Sequence, residues 1–568
     1  MKSPEIVNAT QAELDEIPAL AKPAFPQQQY QRLEAVLGTF VYVMQSLQNA
    51  KTSLKRFRRM LFGARTESRA NVLQAQATDA PDKLHDARAI DTEPAGDTVP
   101  ALAHTSALDA ADDGAAPSLA KPAKPGHGRI GAQAYRDAPG ITLEPSDVSA
   151  GDLCPQCMAG KVYDSTPRTI VKVTGQPPLA ATVYELRRLR CRLCDAVFSA
   201  ALPEGVAEAP KYDASCASML ALLRYGSGMP FFRLEGLQNN LNVPLPDATQ
   251  WDIVVNAVTA PRCAYEELIR QAAQAELLHN DDTPARILSL IKERTKAEAA
   301  GIEPEGKAIN TSGIVAVMRA PQGELKAVLF FTGHAHAGDN LARVLAQRSR
   351  ELAPPMHMCD ALASNMPGDF ATVLCNCLAH GRRQFVDLVD NFPHECRHVI
   401  EVLAQVCAND EHCRTRKMSP EQRLAHHQAH SAAPMLALQT WMGEQLEQRL
   451  VEPNSSLGGA LNYMLKRWDA LTLFLRKAGA PLDNNVCERA LKRAIRHRKN
   501  SLFYRNARGA EVGDIYMSLI HTCELCGVNA FEYLQALQTH VEDVQANPAQ
   551  WLPWNCREQL TPPLARAA

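Results

Sequence analysis

The sequence predicts a multidomain α+β protein, on three observations. Strand-like and helix-like segments alternate over residues 263–525, two Cys-x-x-Cys pairs flank a β-rich stretch upstream, and an Ala/Asp/Thr/Pro-rich stretch separates these from an N-terminal helix. A chain of 568 residues is long enough for several cores. Its net charge of −2 excludes a polycation, so the basic residues act where they cluster. Sixteen cysteines, with no signal peptide and no long apolar run, point to a reducing cytosol and no membrane span.

Residues 1–29 read as a flexible tail interrupted by Pro18, Pro23 and Pro26. Over residues 30–67, Leu33, Leu37, Phe40, Met44, Leu47, Leu54 and Leu61 follow a 4-3 spacing in which Lys51 and Arg58 fill the two skipped positions. That spacing predicts a basic coiled-coil-like helix, or equally an amphipathic helix packed on its own chain. Its second half carries Lys55, Arg56 and Arg59, which suit phosphate contacts. Residues 68–125 have few aromatics and read as a disordered linker.

Residues 126–200 hold CPQC and CRLC. Four thiolates from Cys154, Cys157, Cys191 and Cys194 satisfy tetrahedral zinc, so a structural Zn2+ ribbon with strands at 169–173 and 182–189 is expected. Arg187, Arg188 and Arg190 beside the second pair suggest that this ribbon faces nucleic acid. Residues 201–262 read as three helices at 215–225, 233–241 and 248–258, with Asp247 or Thr249 as a cap for the third. Their spacing fits a helix-turn-helix-like DNA-binding module or a plain helical connector.

The segment 263–525 reads as a core. Strands are expected around Asp281 and Asp282, at 312–318, 327–331, 356–359 and 372–375, with helices at 339–351 and 380–389. This order is that of a ribonuclease-H-like sheet, in which the first strand bears one acid and a second follows the neighbouring fourth strand. Asp281 and Asp360 take those places, with Asp369 and Asp387 as alternatives for the second. A helical insertion at about 396–476 precedes the third acid, Glu488; its His426, His427 and His430 read as a polar helix surface. Cys523 and Cys526 read as core, and residues 526–568 as a C-terminal element.

Glu488 lies in PLDNNVCERALKRAIRHRKNSLFY, a basic helix with Asp483 or Asn484 as cap and Ala490, Leu491, Ala494 and Ile495 at apolar spacing. Taken alone, Glu488 is a salt-bridge partner for Lys492. Beside two converging aspartates it becomes a ligand, because hard divalent ions such as Mg2+ or Mn2+ prefer oxygen donors. Lys492, Arg496 and Lys499 then share its face and suit DNA phosphates, as Arg382 and Arg383 do beside His380. Cys375 and Cys377 lie near His380 without an evident fourth ligand, so no second zinc is expected there.

Several ordered motifs carry a resemblance: LFGARTE, the two cysteine pairs, GSGMPFFRLEGLQNNLNVPLPDATQWD, HNDDTPARIL, CLAHGRRQF, NNVCERALKR, RKNSLF and LPWN. Together they resemble the large transposase of the bacterial insertion-sequence-sixty-six family, from the N-terminal helix almost to the C-terminus. The resemblance implies a DDE-type transposase with two catalytic Mg2+ or Mn2+ ions at Asp281, Asp360 and Glu488. Asp282 stands where the family usually has glutamate, and CDALASN departs from the family's context at the second acid. It further implies terminal-repeat and target DNA as partners, a homo-oligomer on DNA, small accessory proteins, and a cytoplasmic, nucleoid-associated location. A zinc-dependent DNA-binding regulator and a nuclease or resolvase without strand transfer are the competing readings.

Overall fold

The computed structural model describes residues 20–23, 25–33, 35–36, 142, 145, 147, 149–164, 176–190, 192, 197–206, 209–303, 306, 308–320 and 323–560. Lys55, Arg56, Arg59, Cys191, Cys194, the expected strand at 169–173 and the linker at 68–125 lie outside the described residues. Among the described residues no helix is long and apolar enough to cross a membrane. The chain divides into a unit of residues 82–177 and a unit formed by the rest.

The smaller unit holds the first cysteine pair in a tight knuckle. An antiparallel bridge joins Leu153 to Lys161, and Cys154 N donates to Gly160 O at 2.7 Å. Met158 turns the chain at φ +55. The Ala159 and Gly160 amides then point at the Cys157 sulfur and hold its thiol below the ordinary value, with help from Cys154. Amide donors aimed at sulfur favour a thiolate, the form that binds metal.

In the larger unit, β1 (Arg188–Arg190) pairs antiparallel with β2 (Val197–Ser199). Strand structure is absent from residues 182–187, so the ribbon strand is shorter than the sequence predicts. The helices α1 (Ala214–Ala221), α2 (Phe231–Asn240) and α3 (Asp247–Asn256) follow, close to their expected positions. Asp247 is the first helical residue of α3 rather than its cap, and its amide donates instead to Glu235 Oε2 at 3.1 Å. Helix α4 (Thr259–Ala272) leads into the sheet.

That sheet contains β3 (Leu277–Pro284), β4 (Asn310–Ala320), β5 (Gly323–Gly333), β6 (Met356–Cys359) and β7 (Val373–Asn376). Their order is β5-β4-β3-β6-β7. The β3–β4 and β4–β5 pairs are antiparallel, whereas β3–β6 and β6–β7 are parallel. The first strand is thus central and the fourth is its neighbour. Helix α5 (Leu288–Ala299) lies between β3 and β4, and α6 (Ala337–Leu345) after β5. Helix α6 stops six residues short of its expected end because Arg348 turns back to donate to the carbonyls of Ala273, Ala275 and Ala353.

Two apolar layers cover the sheet. One packs α1–α4 and the helices α13 (Ala507–Leu525) and α14 (Ala530–Thr539) against Leu278, Ile314, Ala316 and Val328. The other packs the insertion against Leu277, Val317, Met356 and Met358. The alternation of 277 and 278 between layers is the period-2 signature of a strand buried on both faces. The insertion comprises α8 (Pro393–Thr415), α9 (Pro420–His430), α10 (Ala432–Glu447) and α11 (Ser456–Lys466), after α7 (Leu378–Leu388). The stretch 419–451 reads as one helix but breaks at Ser431, where Pro434 lacks the amide a continuous helix needs. His427 is buried, not solvent-facing: it contacts Asp410 Oδ1 at 3.2 Å and Ser431 Oγ at 3.0 Å.

Strand β5 is a sheet edge, and α13 covers it with polar side chains. Asp514, Ser518 and Thr522 accept the amides of Thr332, Phe330 and Val328 at 2.6, 2.9 and 3.0 Å. These side chains recur every fourth residue on α13, matching every second residue of the strand. An edge that could template another strand is closed this way.

Candidate active site

Helix α12 (Asn485–Ser501) lies across β3 and β4. Gly313 permits the approach, since a Cβ there would sit 2.9 Å from Leu491 Cδ2. Cys487 Sγ donates to the Gly313 carbonyl at 3.2 Å. Asn484 fixes the helix start from below: its side chain donates to Asn280 O at 2.9 Å and meets His279 Nδ1 at 3.0 Å. Asn484 is the N-cap residue and makes no side-chain cap bond; Asp483 instead closes the turn before the helix, accepting Asn485 N at 3.1 Å. Glu488 therefore projects from a first turn locked to β3, where the helix dipole favours a negative charge.

The two aspartates meet through strand register. Leu277, Leu278 and His279 pair with Met356, His357 and Met358 on the parallel neighbour. Continuing that register by two residues sets Asp281 opposite Asp360. The turn after β6 holds Asp360, whose Oδ1 accepts Leu362 N at 3.2 Å and the Asn365 side chain. Asn365 is gripped in turn, its carbonyl accepting Asn280 Nδ2 at 2.8 Å. Helix α6 presses on this turn, and a Cβ at Gly338 would fall 2.1 Å from the Met366 carbonyl.

Burial pushes the Asp281 carboxyl up to about 7. The Asp282 amide, 2.8 Å away, works against this, while the charges of Asp360, Glu488 and Asp282 add to it. The structure thus brings Asp281, Asp360 and Glu488 into one electrostatic neighbourhood. Asp282 is occupied otherwise: it accepts Ser312 Oγ at 2.7 Å and Ala337 N at 2.9 Å, and pairs with His336 Nδ1 at 3.1 Å. Asp369 is exposed in the following loop, and Asp387 lies on α7.

Glu488 pairs with His380 Nε2 at 3.8 Å, not with Lys492. The ligand atoms of Cys377, His380 and Glu488 all lie within 4.8 Å of one another. The sequence shows Cys377 and His380 as neighbours with no evident further ligand, because Glu488 lies more than a hundred residues away. Burial pushes the Cys377 thiol up to about 11, and its sulfur accepts Asn484 N at 3.2 Å.

Among the expected DNA contacts, Lys492, Arg496 and Lys499 are exposed on α12. Arg493 and Arg498 of the same helix are used internally, on Glu524 and the Gly226 carbonyl and on the Pro284 carbonyl. Arg383 is exposed and Arg382 half-buried on α7. Arg187, Arg188 and Arg190 are exposed at β1.

A family model described as "Transposase IS66 family" matches residues 211–512. Among curated proteins of Sinorhizobium fredii (strain NBRC 101917 / NGR234), the chain is similar to "Uncharacterized protein y4hP". That match is 23% identical over 432 residues, or 73% of this chain and 74% of that one. Similarity to "Uncharacterized protein y4jD" is 31% over 192 residues, or 32% and 36%, so the chain spans about a third of that relative. The family match takes in all five sheet strands, the three acids and more than half of the residues: the chain belongs to the transposase IS66 family.

Proposed function

We propose that this chain is a DDE-type DNA transposase that binds terminal inverted repeats, cuts at the element ends and joins the freed 3′-OH to target DNA. The observation that carries this reading is the parallel pairing of Leu277–His279 with Met356–Met358, which leads Asp281 and Asp360 off neighbouring strands, so that Asp281 feels the charges of Asp360 and of Glu488 on α12.

The donor set fits a divalent metal. Burial lifts the Asp281 carboxyl to about 7, the charges of Asp360 and Glu488 add to the push, and Asp281 Oδ2 and Asp360 Oδ2 have no hydrogen-bond donor among the described residues. Asp281, Asp360 and Glu488 would hold two Mg2+ or Mn2+ ions, which supply nucleophile activation and neutralisation of the leaving oxygen. The protein's part is position and charge. Lys492, Arg496 and Lys499 grip phosphates beside the cut, while Asn280, Asn365 and Asn484 keep the acids from drifting. In the first step water oxygen attacks phosphorus and the P–O3′ bond breaks; the water proton leaves and the 3′ oxygen gains one. In the second step that 3′-OH attacks a target phosphorus with loss of another P–O3′ bond. Phosphodiester bonds are conserved across the joining step, so ATP is not required.

The knuckle at Cys154 and Cys157, with Cys191 and Cys194, would hold a structural Zn2+ for DNA recognition. Metal analysis of purified protein is expected to find about one zinc per chain. Cys154→Ser should lose it and weaken repeat binding, while thermal melting of the larger unit stays unchanged. Zinc retained in that variant would remove the ribbon from the reading. Two element ends must be held together, so a homo-oligomer on DNA follows, with small accessory proteins as further partners.

The reading is tested with purified protein, DNA carrying the element's ends, a target plasmid and Mg2+. Nicked ends and joined product, both lost without divalent metal, are expected. Nicks without joints would make the chain a nuclease. Binding without either product would make it a regulator.

A further inference from the structure

Helix α12 ends in an uncommon way. Leu502 sits at φ +66, ψ −43, and Phe503 N donates to Ser501 O at 2.8 Å. That is a left-handed γ-turn, rare and strained for any residue with a Cβ. Glycine would take this conformation freely. The chain instead places two apolar side chains on the tip, Leu502 at 61% and Phe503 at 44% exposure. Strain of this kind persists only where the surroundings over-determine it, and it concentrates at functional sites.

The mount is rigid on both sides. Arg224 donates to Ser501 Oγ, and Asn500 donates to the Gly228 carbonyl at 3.0 Å. Beyond the tip, Tyr504 is buried; its amide donates to Arg286 O at 2.8 Å and it bridges in parallel to Ile287. Its ring stacks on His497 at 4.8 Å, and the stack continues through Tyr225 to Tyr516 at 6.0 and 5.5 Å. An exposed apolar pair on so fixed a base is no loose loop.

The chain on either side of it carries one sign of charge. No acidic residue occurs from 489 to 510. Lys492, Arg496 and Lys499 run along the exposed face from Glu488 to the tip, and Arg505 and Arg508 are exposed past it. Such a row fits a polyanion whose backbone follows the helix, and an apolar pair at its end fits the faces of stacked bases. At about 1.5 Å rise per residue the tip stands roughly 21 Å from Glu488. That distance is about six nucleotides at 3.4 Å each.

Resting on the transposase reading above, we propose that Leu502 and Phe503 form an apolar wedge that enters the duplex about six base pairs from the scissile phosphate and unstacks it there.

The test uses the full chain and end DNA carrying 2-aminopurine at single positions three to nine from the cut, with Ca2+ replacing Mg2+ for binding. Wild type should brighten the probe near the sixth position. Phe503→Ala and Leu502→Gly should abolish the signal while binding weakens less than about tenfold. With Mg2+, both variants should cut paired DNA at least about tenfold more slowly, and a two-base mismatch at the sixth position should restore cutting to within about threefold of wild type. The melting temperature should not fall in Leu502→Gly, where glycine relaxes the turn, and should fall only slightly in Phe503→Ala, whose ring is 44% exposed. Wild-type cutting of paired DNA by the variants would overturn the wedge. So would equal losses on paired and mismatched DNA, which would make the tip a protein-docking patch. If wild type cuts no DNA, the transposase reading itself fails.

Discussion

Asp281→Asn is expected to lower end cleavage by at least about a thousandfold while leaving repeat binding and the fold intact. The substitution keeps the shape and the oxygen that accepts the Asp282 amide at 2.8 Å. It removes a charge that sits with Asp360 and Glu488. Without divalent metal the variant should therefore melt slightly higher than wild type at pH 8, having shed a repulsion. Added Mg2+ should stabilise wild type and do little for the variant. Asp360→Asn and Glu488→Gln should behave alike in cleavage. Asp282→Asn should not: its carboxylate holds Ser312, His336 and the first amide of α6, so the expected result is a lower melting temperature with cleavage partly retained. Asp369→Asn, in the exposed loop, should match wild type. Gel analysis of nicked ends, beside melts with and without Mg2+, reads all five. Wild-type cleavage in the Asp281 variant would sink the three-acid mechanism, and loss in Asp369→Asn but not Asp360→Asn would move the second ligand.

The strand positions of Asp281 and Asp360 were legible because strands announce themselves by local pattern; the register between those strands was not, since only the pairing of Leu277 with Met356 shows it. The exposed basic face of α12 was legible for the same reason, being a matter of helical spacing. Side-chain partners distant in sequence were not. Nothing local says that Glu488 pairs with His380 rather than Lys492, because both are within reach of a long carboxylate and only tertiary packing chooses. The roles of Asp281 and Asp282, adjacent on a strand, separate only once β4 and α6 stand on one side and α12 on the other. The break at Ser431 was readable from Pro434. The γ-turn at Leu502 was not, since Leu carries no signal for a left-handed backbone. The polar stripe of α13 is the fullest case: Asp514, Ser518 and Thr522 look like an ordinary helix face until β5 arrives.

That stripe yields the second large expected effect. Asp514 is 5% exposed, and burial pushes its carboxyl from an ordinary 3.8 up to about 7, although the Thr332 amide and hydroxyl pull the other way. Glu511 adds to the upward push. A carboxyl raised in the folded state binds its proton more tightly there than in the unfolded chain. Its contribution to stability is complete below about pH 4 and is lost as pH rises through about 7, on the order of 4 kcal/mol in all. Asp281 acts in the same direction, so the metal-free protein should melt distinctly lower at pH 8 than at pH 5. Asp514→Asn separates the two. An amide can accept the Thr332 N–H and donate to the Thr332 hydroxyl without any charge to bury, so this variant should match wild type near pH 5 and exceed it at pH 8. Asp514→Ala should be destabilised by roughly 1–3 kcal/mol even at pH 5, because the edge amide of Thr332 loses its partner. Melts at both pH values in EDTA and in Mg2+ complete the assignment. The Asp281 share should vanish when Mg2+ is present, whereas the Asp514 share, its two oxygens taken up by the Thr332 amide and hydroxyl, should not respond. If Asp514→Asn and wild type decline in parallel from pH 5 to 8, the edge clamp holds its carboxyl ionised and the stripe of α13 works by hydrogen bonding alone.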